Sequence, residues 1–192
     1  MPIDIKAILK RMSLEQKIGQ MIWCQLCGFH NSLKDRQIAQ GEELARSGIL
    51  GGMLFKCGEL YETATRIQKI QQGLELPLAV AAEVENGLGS LLSRGTHFPS
   101  NMAFGATRSG EYAYLAGKIT AEECRAVGIN TIIGPTCSRV GVAIPEGLPR
   151  VESYGEKLHL VTRLSTAFIK GVHTGGAVAA PRYFPGTEAI CK

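Results

Sequence analysis

Five short apolar runs alternate with segments of helical periodicity, and that alternation limits the fold more than any other property of the chain. The runs cover residues 21–27, 50–55, 78–83 and 129–134, and a fifth begins at 177–180. Helical segments fall between them at 36–47, 59–72, 110–127 and 156–172. Strands alternating with helices predict an α/β fold with a parallel sheet. The runs are continuously apolar rather than alternating, which predicts strands covered on both faces. Gly48, Gly73 and Gly128 stand just past helical segments, where a residue without a Cβ closes the last turn. Ahead of the first strand, Ile3, Ile5, Ile8, Leu9 and Met12 form an apolar stripe. Ser13 and Gln16 then have the spacing of a capping box, so the chain is expected to break near Met12–Ser13 and start a second short helix.

Two architectures satisfy this pattern: an open doubly wound sheet, or part of a (β/α)8 barrel. No G-x-G-x-x-G follows the first strand, which removes the main support for dinucleotide binding. Polar residues collect just after strand ends: Glu83 and Glu85 after the third, Ser138 and Arg139 after the fourth, Arg182 and Tyr183 after the fifth. Both architectures carry their sites at that edge. A closed barrel usually needs ~250 residues, and this chain has 192.

Composition excludes several functions. The formal charge of +4 is small and evenly spread, which argues against a nucleic-acid partner. No apolar run approaches the ~20 residues of a membrane span. The first residues lack the apolar core and cleavage site of a secretory signal, so a cytoplasmic location and reduced thiols are expected for the six cysteines. Cys24-x-x-Cys27 has no second such pair and no histidine pair at ligand spacing. On an alternating strand its two thiols point to opposite faces, so neither a metal nor a redox role is assigned. The remaining cysteines read as small core residues, and Trp23 reads as packing. Arg94 and His97 flank a loop that could close a site; an exposed position suffices to explain the histidine. Ser165 and Thr166 lie in no Gly-x-Ser-x-Gly turn, so a serine hydrolase has no support.

Several segments, taken in order, carry a family resemblance: MSLEQKIGQM (12–21), GGMLF (51–55), LPLAVAAEVENGLG (76–89), THFPSNMAFGAT (96–107), AEECRAVGIN (121–130), SYGEK (153–157) and AAPRYFPG (179–186). Together they resemble glycoside hydrolase family 3, the β-glucosidase and β-N-acetylglucosaminidase group. The resemblance implies an incomplete (β/α)8 TIM-barrel-type fold over residues 1–192, about the first five strand–helix units. It implies a retaining mechanism, which uses two carboxyl groups ~5 Å apart as nucleophile and acid/base. The family's nucleophilic aspartate follows a later strand and has no counterpart in these residues, so no catalytic residue is assigned. Glu188 is the sole carboxylate where some members carry a histidine-containing acid/base loop.

The resemblance also maps sugar-binding positions, several of them changed. Glu83 stands for an aspartate on the third strand, and Glu85 falls on the family's glutamate. Ser138 replaces an aspartate, and Glu152 replaces an arginine, with Arg150 two residues away. Arg182-Tyr183 replaces a Lys-His pair, which keeps the charge but changes the donor geometry. Glu83, Glu85, Arg182 and Tyr183 are therefore the expected substrate-binding residues. No metal or organic cofactor is implied.

The expected function is a glycoside hydrolase acting on terminal β-linked glucosyl or N-acetylglucosaminyl residues, at the level of a full-length parent protein. The alternatives are a non-catalytic sugar-binding or regulatory remnant of that family, and a truncated reading frame without function. A sheet of five such strands leaves two edges open, so a complementing chain or self-association is expected.

Overall fold

The computed structural model describes residues 4–27, 36–140 and 150–184. Ile3, Glu188, Cys191 and the side chain of Arg150 lie outside that description. The strands run in chain order through a parallel sheet, β1-β2-β3-β4-β5. The chain divides into two compact units, residues 1–80 and 81–192, and the division falls inside the third strand.

The first unit opens with helix α1 (Ile5–Arg11), capped by Asp4 Oδ1, which accepts from the Ala7 amide at 3.1 Å. Met12 is extended and ends it. Helix α2 (Leu14–Gly19) then starts on the expected capping box: Ser13 Oγ accepts from the Gln16 amide at 3.1 Å, and Gln16 Oε1 accepts from the Ser13 amide at 2.9 Å. The remaining elements are β1 (Trp23–Leu26), α3 (Arg36–Arg46), β2 (Gly52–Phe55), α4 (Leu60–Gln71) and the start of β3 (Ala79–Ala82). Trp23 pairs with Gly52 and Leu26 with Phe55 in parallel register. Leu26, Ala45, Met53, Phe55, Ile67, Ile70 and Val80 are buried and form this unit's apolar interior. The α3 carboxylate Glu42 is buried with them and held by two arginines. Arg46 Nη2 donates to Oε1 and Arg66 Nε to Oε2, each at 2.6 Å. A buried carboxylate needs such donors to remain charged without a large penalty.

One expectation fails here. The first apolar run is not covered on both faces: Met21, Ile22 and Trp23 are exposed. Along the N-terminal stripe Ile5 and Leu9 are exposed, while Ile8 and Met12 are half-buried. β1 ends the sheet order, and an end strand has a neighbour on one side only. Trp23 does pack, its ring lying over Gly52, where an added Cβ would come within 2.7 Å of the indole carbons.

The second unit holds the end of β3, a 3-10 turn at Leu88–Ser90, and helices α5 (Asn101–Thr107) and α6 (Gly110–Ala126). Strand β4 (Thr131–Thr136), a 3-10 turn at Arg150–Glu152, helix α7 (Leu158–Thr174) and strand β5 (Val178–Arg182) follow. Ala82 pairs with Ile132, and Ile132 in turn with Ala179. The β4–β5 register shifts between Ile133 and Thr136, after which Thr136 stands opposite Arg182. That shift brings the two residues to one level at the C-terminal end of the sheet. Strand β5 departs from expectation as β1 does: its residues are half-buried or exposed rather than covered on both faces. Helix α5 lies in a segment with no predicted element.

Helices α6 and α7 pack closely because glycine faces backbone on both. An added Cβ on Gly117 would sit 2.3 Å from the Phe168 carbonyl oxygen, and one on Gly171 would sit 2.0 Å from that of Tyr114. Ala116, Thr120, Leu164, Phe168 and Val172 are buried around this crossing.

Candidate functional site

The residues at the C-terminal ends of β3, β4 and β5 converge on one guanidinium. Arg182, the last residue of β5, donates from Nη1 to Glu83 Oε2 at 3.1 Å and from Nη2 to Glu85 Oε1 at 2.6 Å. Its Nη2 also lies 3.3 Å from Glu152 Oε2, and its Nε donates to Thr136 Oγ1 at 3.3 Å. Glu83 and Glu85 thus serve a common partner. Their environments differ: Glu83 is exposed and Glu85 buried.

Glu85 is fully engaged by the protein. Oε1 accepts from Arg182 and from Thr136 Oγ1 at 3.1 Å; Oε2 accepts from the Thr136 amide at 2.7 Å and from Asn101 Nδ2 at 2.9 Å. These four donors match the acceptor capacity of a carboxylate. Asn101 comes from the first turn of α5 and also donates to the Glu152 carbonyl at 2.8 Å, tying the Arg150–Glu152 turn to the cluster. Gly134 makes the close approach of β4 feasible. Its φ is +143°, and a Cβ there would lie 2.8 Å from the Glu85 Cβ.

Charge is unevenly matched, with three carboxylates around one guanidinium. Burial works against the charge on Arg182, but Glu85, through charge and hydrogen bond, and Glu152 outweigh it and hold the arginine above its usual pKa. Burial pushes the Glu152 carboxyl above its ordinary range. Arg182 pulls it back, and the negative charges of Glu85 and Glu83 push it up again. Tyr183 follows with a left-handed backbone, φ +56°, and its ring centroid is 5.6 Å from the Arg182 guanidinium carbon, within cation–π range.

A pH experiment tests this charge balance. When the folded-state pKa of a carboxyl exceeds the unfolded value, protonation favours the fold. The contribution is therefore present below the unfolded value of about 4.3 and lost as pH rises through the folded one. Glu152→Gln imitates the protonated acid. Its Tm should match the parent at pH 4 and exceed it by up to a few degrees at pH 7, read by differential scanning fluorimetry. A lower Tm at pH 7 would mean that attraction to Arg182 outweighs burial and repulsion.

All four expected binding residues, Glu83, Glu85, Arg182 and Tyr183, come together. Thr136, Asn101 and Glu152 join them, and sequence spacing gave no signal for the first two. Glu152 was marked only by its alignment with a family arginine. Ser138 is buried, and its carbonyl accepts from Ser153 Oγ at 2.6 Å. Arg94 and His97 are exposed. Among the described residues, no group of three or more His, Cys, Asp or Glu is placed to hold a metal ion, and no helix is long and apolar enough to cross a membrane.

Polar groups past the C-terminal strand ends suit both architectures, but strands that follow one another in unbroken chain order are those of a (β/α)8 domain rather than of a doubly wound sheet, whose order reverses. The chain belongs to the family described as the glycosyl hydrolase family 3 N-terminal domain, whose profile it matches over residues 13–190. A β-N-acetylglucosaminidase/β-glucosidase of Cellulomonas fimi is 22% identical over 182 residues, which cover 95% of this chain and 31% of that protein. A family 3 β-N-acetylglucosaminidase structure from Paenibacillus sp. str. FPU-7 matches with a TM-score of 0.76 at 29% identity, covering 92% of this chain and 34% of the other. The fold is also shared with a β-glucoside phosphorylase structure bound to 2FGlc, at a TM-score of 0.80 and 23% identity, over 95% of this chain and 32% of that one. The chain therefore spans about a third of the length of these proteins.

Proposed function

We propose that this chain supplies the sugar-binding strand ends of a retaining glycoside hydrolase. The full-length parent would cleave terminal β-linked glucosyl or N-acetylglucosaminyl residues. The observation that carries the reading is the convergence of Glu83, Glu85 and Glu152 on Arg182 at the edge where (β/α)8 enzymes bind substrate. Glu83, exposed, and Glu152, half-buried, accept from sugar hydroxyls. Tyr183 offers a ring face to a pyranose. None of the three carboxylates is assigned as nucleophile, because the family resemblance puts that aspartate after a later strand, with no counterpart in these residues.

The deciding experiment offers 4-nitrophenyl β-D-glucoside and its N-acetylglucosaminide to the full-length parent. Release of nitrophenol with retention at the anomeric carbon is the expected result. Saturable sugar binding without turnover would support the second reading, a non-catalytic sugar-binding or regulatory remnant. That reading is favoured by Glu85, whose acceptor positions are already filled by protein donors. Neither binding nor turnover would overturn both.

The same proposal carries the partner and the location. Val178 on β5 and Phe184 just beyond it are exposed, and an open strand end invites pairing. The 192-residue chain alone is expected to elute above its 20.6 kDa mass in light-scattering chromatography. A monomer that unfolds cooperatively would refute that expectation. Cysteine usage supports a reducing, cytoplasmic setting.

A further inference from the structure

The Cys24-x-x-Cys27 spacing pairs the wrong thiols. Cys24 lies against α3, 3.1 Å from where a Cβ on Gly41 would stand. Cys27 instead meets Cys57, thirty residues on, with the two Sγ atoms 2.9 Å apart. The approach follows from the ladder. Cys27 is the residue after β1, Cys57 stands two past the end of β2, and the Lys56 amide donates to the Leu26 carbonyl at 3.0 Å, carrying the pairing onward. Arg66 Nη1 donates to the Cys27 carbonyl while its Nε is held by buried Glu42, so the backbone under Cys27 is anchored on one side.

We propose that Cys27 and Cys57 are a redox-responsive dithiol that closes to a disulfide when it meets a small-molecule disulfide such as oxidised glutathione. An S–S bond is about 2.05 Å long, so the sulfurs need to approach by less than about 1 Å. Cys57 is half-buried and Cys27 buried, which sets the order of events. The Cys57 thiolate attacks one sulfur of oxidised glutathione. That S–S bond breaks, and one glutathione leaves as a thiolate and takes up a proton. Cys27 then loses its proton and attacks Cys57 Sγ, expelling the second glutathione. Two protein thiols are oxidised, and one glutathione disulfide is reduced to two thiols. Burial, with Cys27 beside it, pushes the Cys57 thiol up to about 11, so the attacking thiolate is scarce near neutrality and the exchange is slow there.

The test uses the reduced 192-residue chain, folded, with oxidised glutathione at pH 8.5. Intact mass should fall by two hydrogen atoms, and peptide mapping should give a Cys27–Cys57 link that dithiothreitol reverses. The oxidised form should melt several degrees higher, because the link closes a long loop. Cys27→Ala should stop at a glutathione adduct on Cys57, and Cys57→Ala should give no link. The same oxidation of the urea-unfolded chain should scatter links over all six cysteines. The proposal is overturned if both thiols stay alkylatable in the folded chain, or if folded and unfolded chains give the same distribution of links.

Discussion

Arg182→Met is expected to destabilise the second unit by about 3–5 kcal/mol, the usual cost of removing one partner from a buried ion pair. Methionine keeps roughly the length and removes every donor. Glu85, buried, loses its shortest bond, and Thr136 Oγ1 loses a donor. Glu83 and Glu152 lose the cation they share, and the three carboxylates are left to repel one another. Adding Glu85→Gln to this variant should recover part of the loss, since a neutral amide carries less desolvation penalty than an unpaired carboxylate. Arg182→Lys should fall between parent and Met, because one ammonium cannot reproduce a planar fork. Urea titration with an unchanged m-value is the measurement. A loss under about 1 kcal/mol would reduce the cluster to the worth of a surface pair.

Gly134→Ala should cost about 2–5 kcal/mol from two independent sources. A φ of +143° is closed to a residue with a Cβ, and such strain costs about 1–3 kcal/mol. The new methyl would also meet the Glu85 Cβ at 2.8 Å, and crowding of this kind costs about 1–3 kcal/mol. The Glu85 carboxylate would be pushed off its bond from the Thr136 amide, so hydrogen exchange at Thr136 should accelerate beyond the global loss. Gly176→Ala is the control. Its φ of +82° is also positive, but nothing lies within 4 Å of the added methyl. If the two variants lose equal stability, contact with Glu85 contributes nothing.

The parts of the fold legible from sequence were those fixed by neighbours along the chain. The Ser13–Gln16 box acts over three residues and formed as read. The glycine stops at Gly48, Gly73 and Gly128 all adopt positive φ. Helix α5 was not legible, because FPSNMAFGAT carries proline and glycine and no helical stripe. The exposure of β1 and β5 was hidden for a different reason: an apolar run reports the burial a strand is suited to, and its place in the sheet order decides what covers it.

The same contrast holds in the site. Glu83 and Glu85 were marked by their position just after a strand, and both meet Arg182, which was marked the same way. Thr136 and Asn101 were not, because their bonds to Glu85 span 51 and 16 residues and depend on a register shift in β4 and the first turn of α5. Cys57 was invisible as a partner of Cys27 for a similar reason. The short cysteine motif drew attention to the wrong pair.

The paired glycines of α6 and α7 have a mechanical consequence. With Gly117 against one backbone and Gly171 against the other, each helix carries a notch that receives the other's main chain. Sliding either helix by a residue would drive a Cβ into a carbonyl. The two helices are therefore keyed together like a tongue and groove, and a shift of one along its axis must carry the other with it.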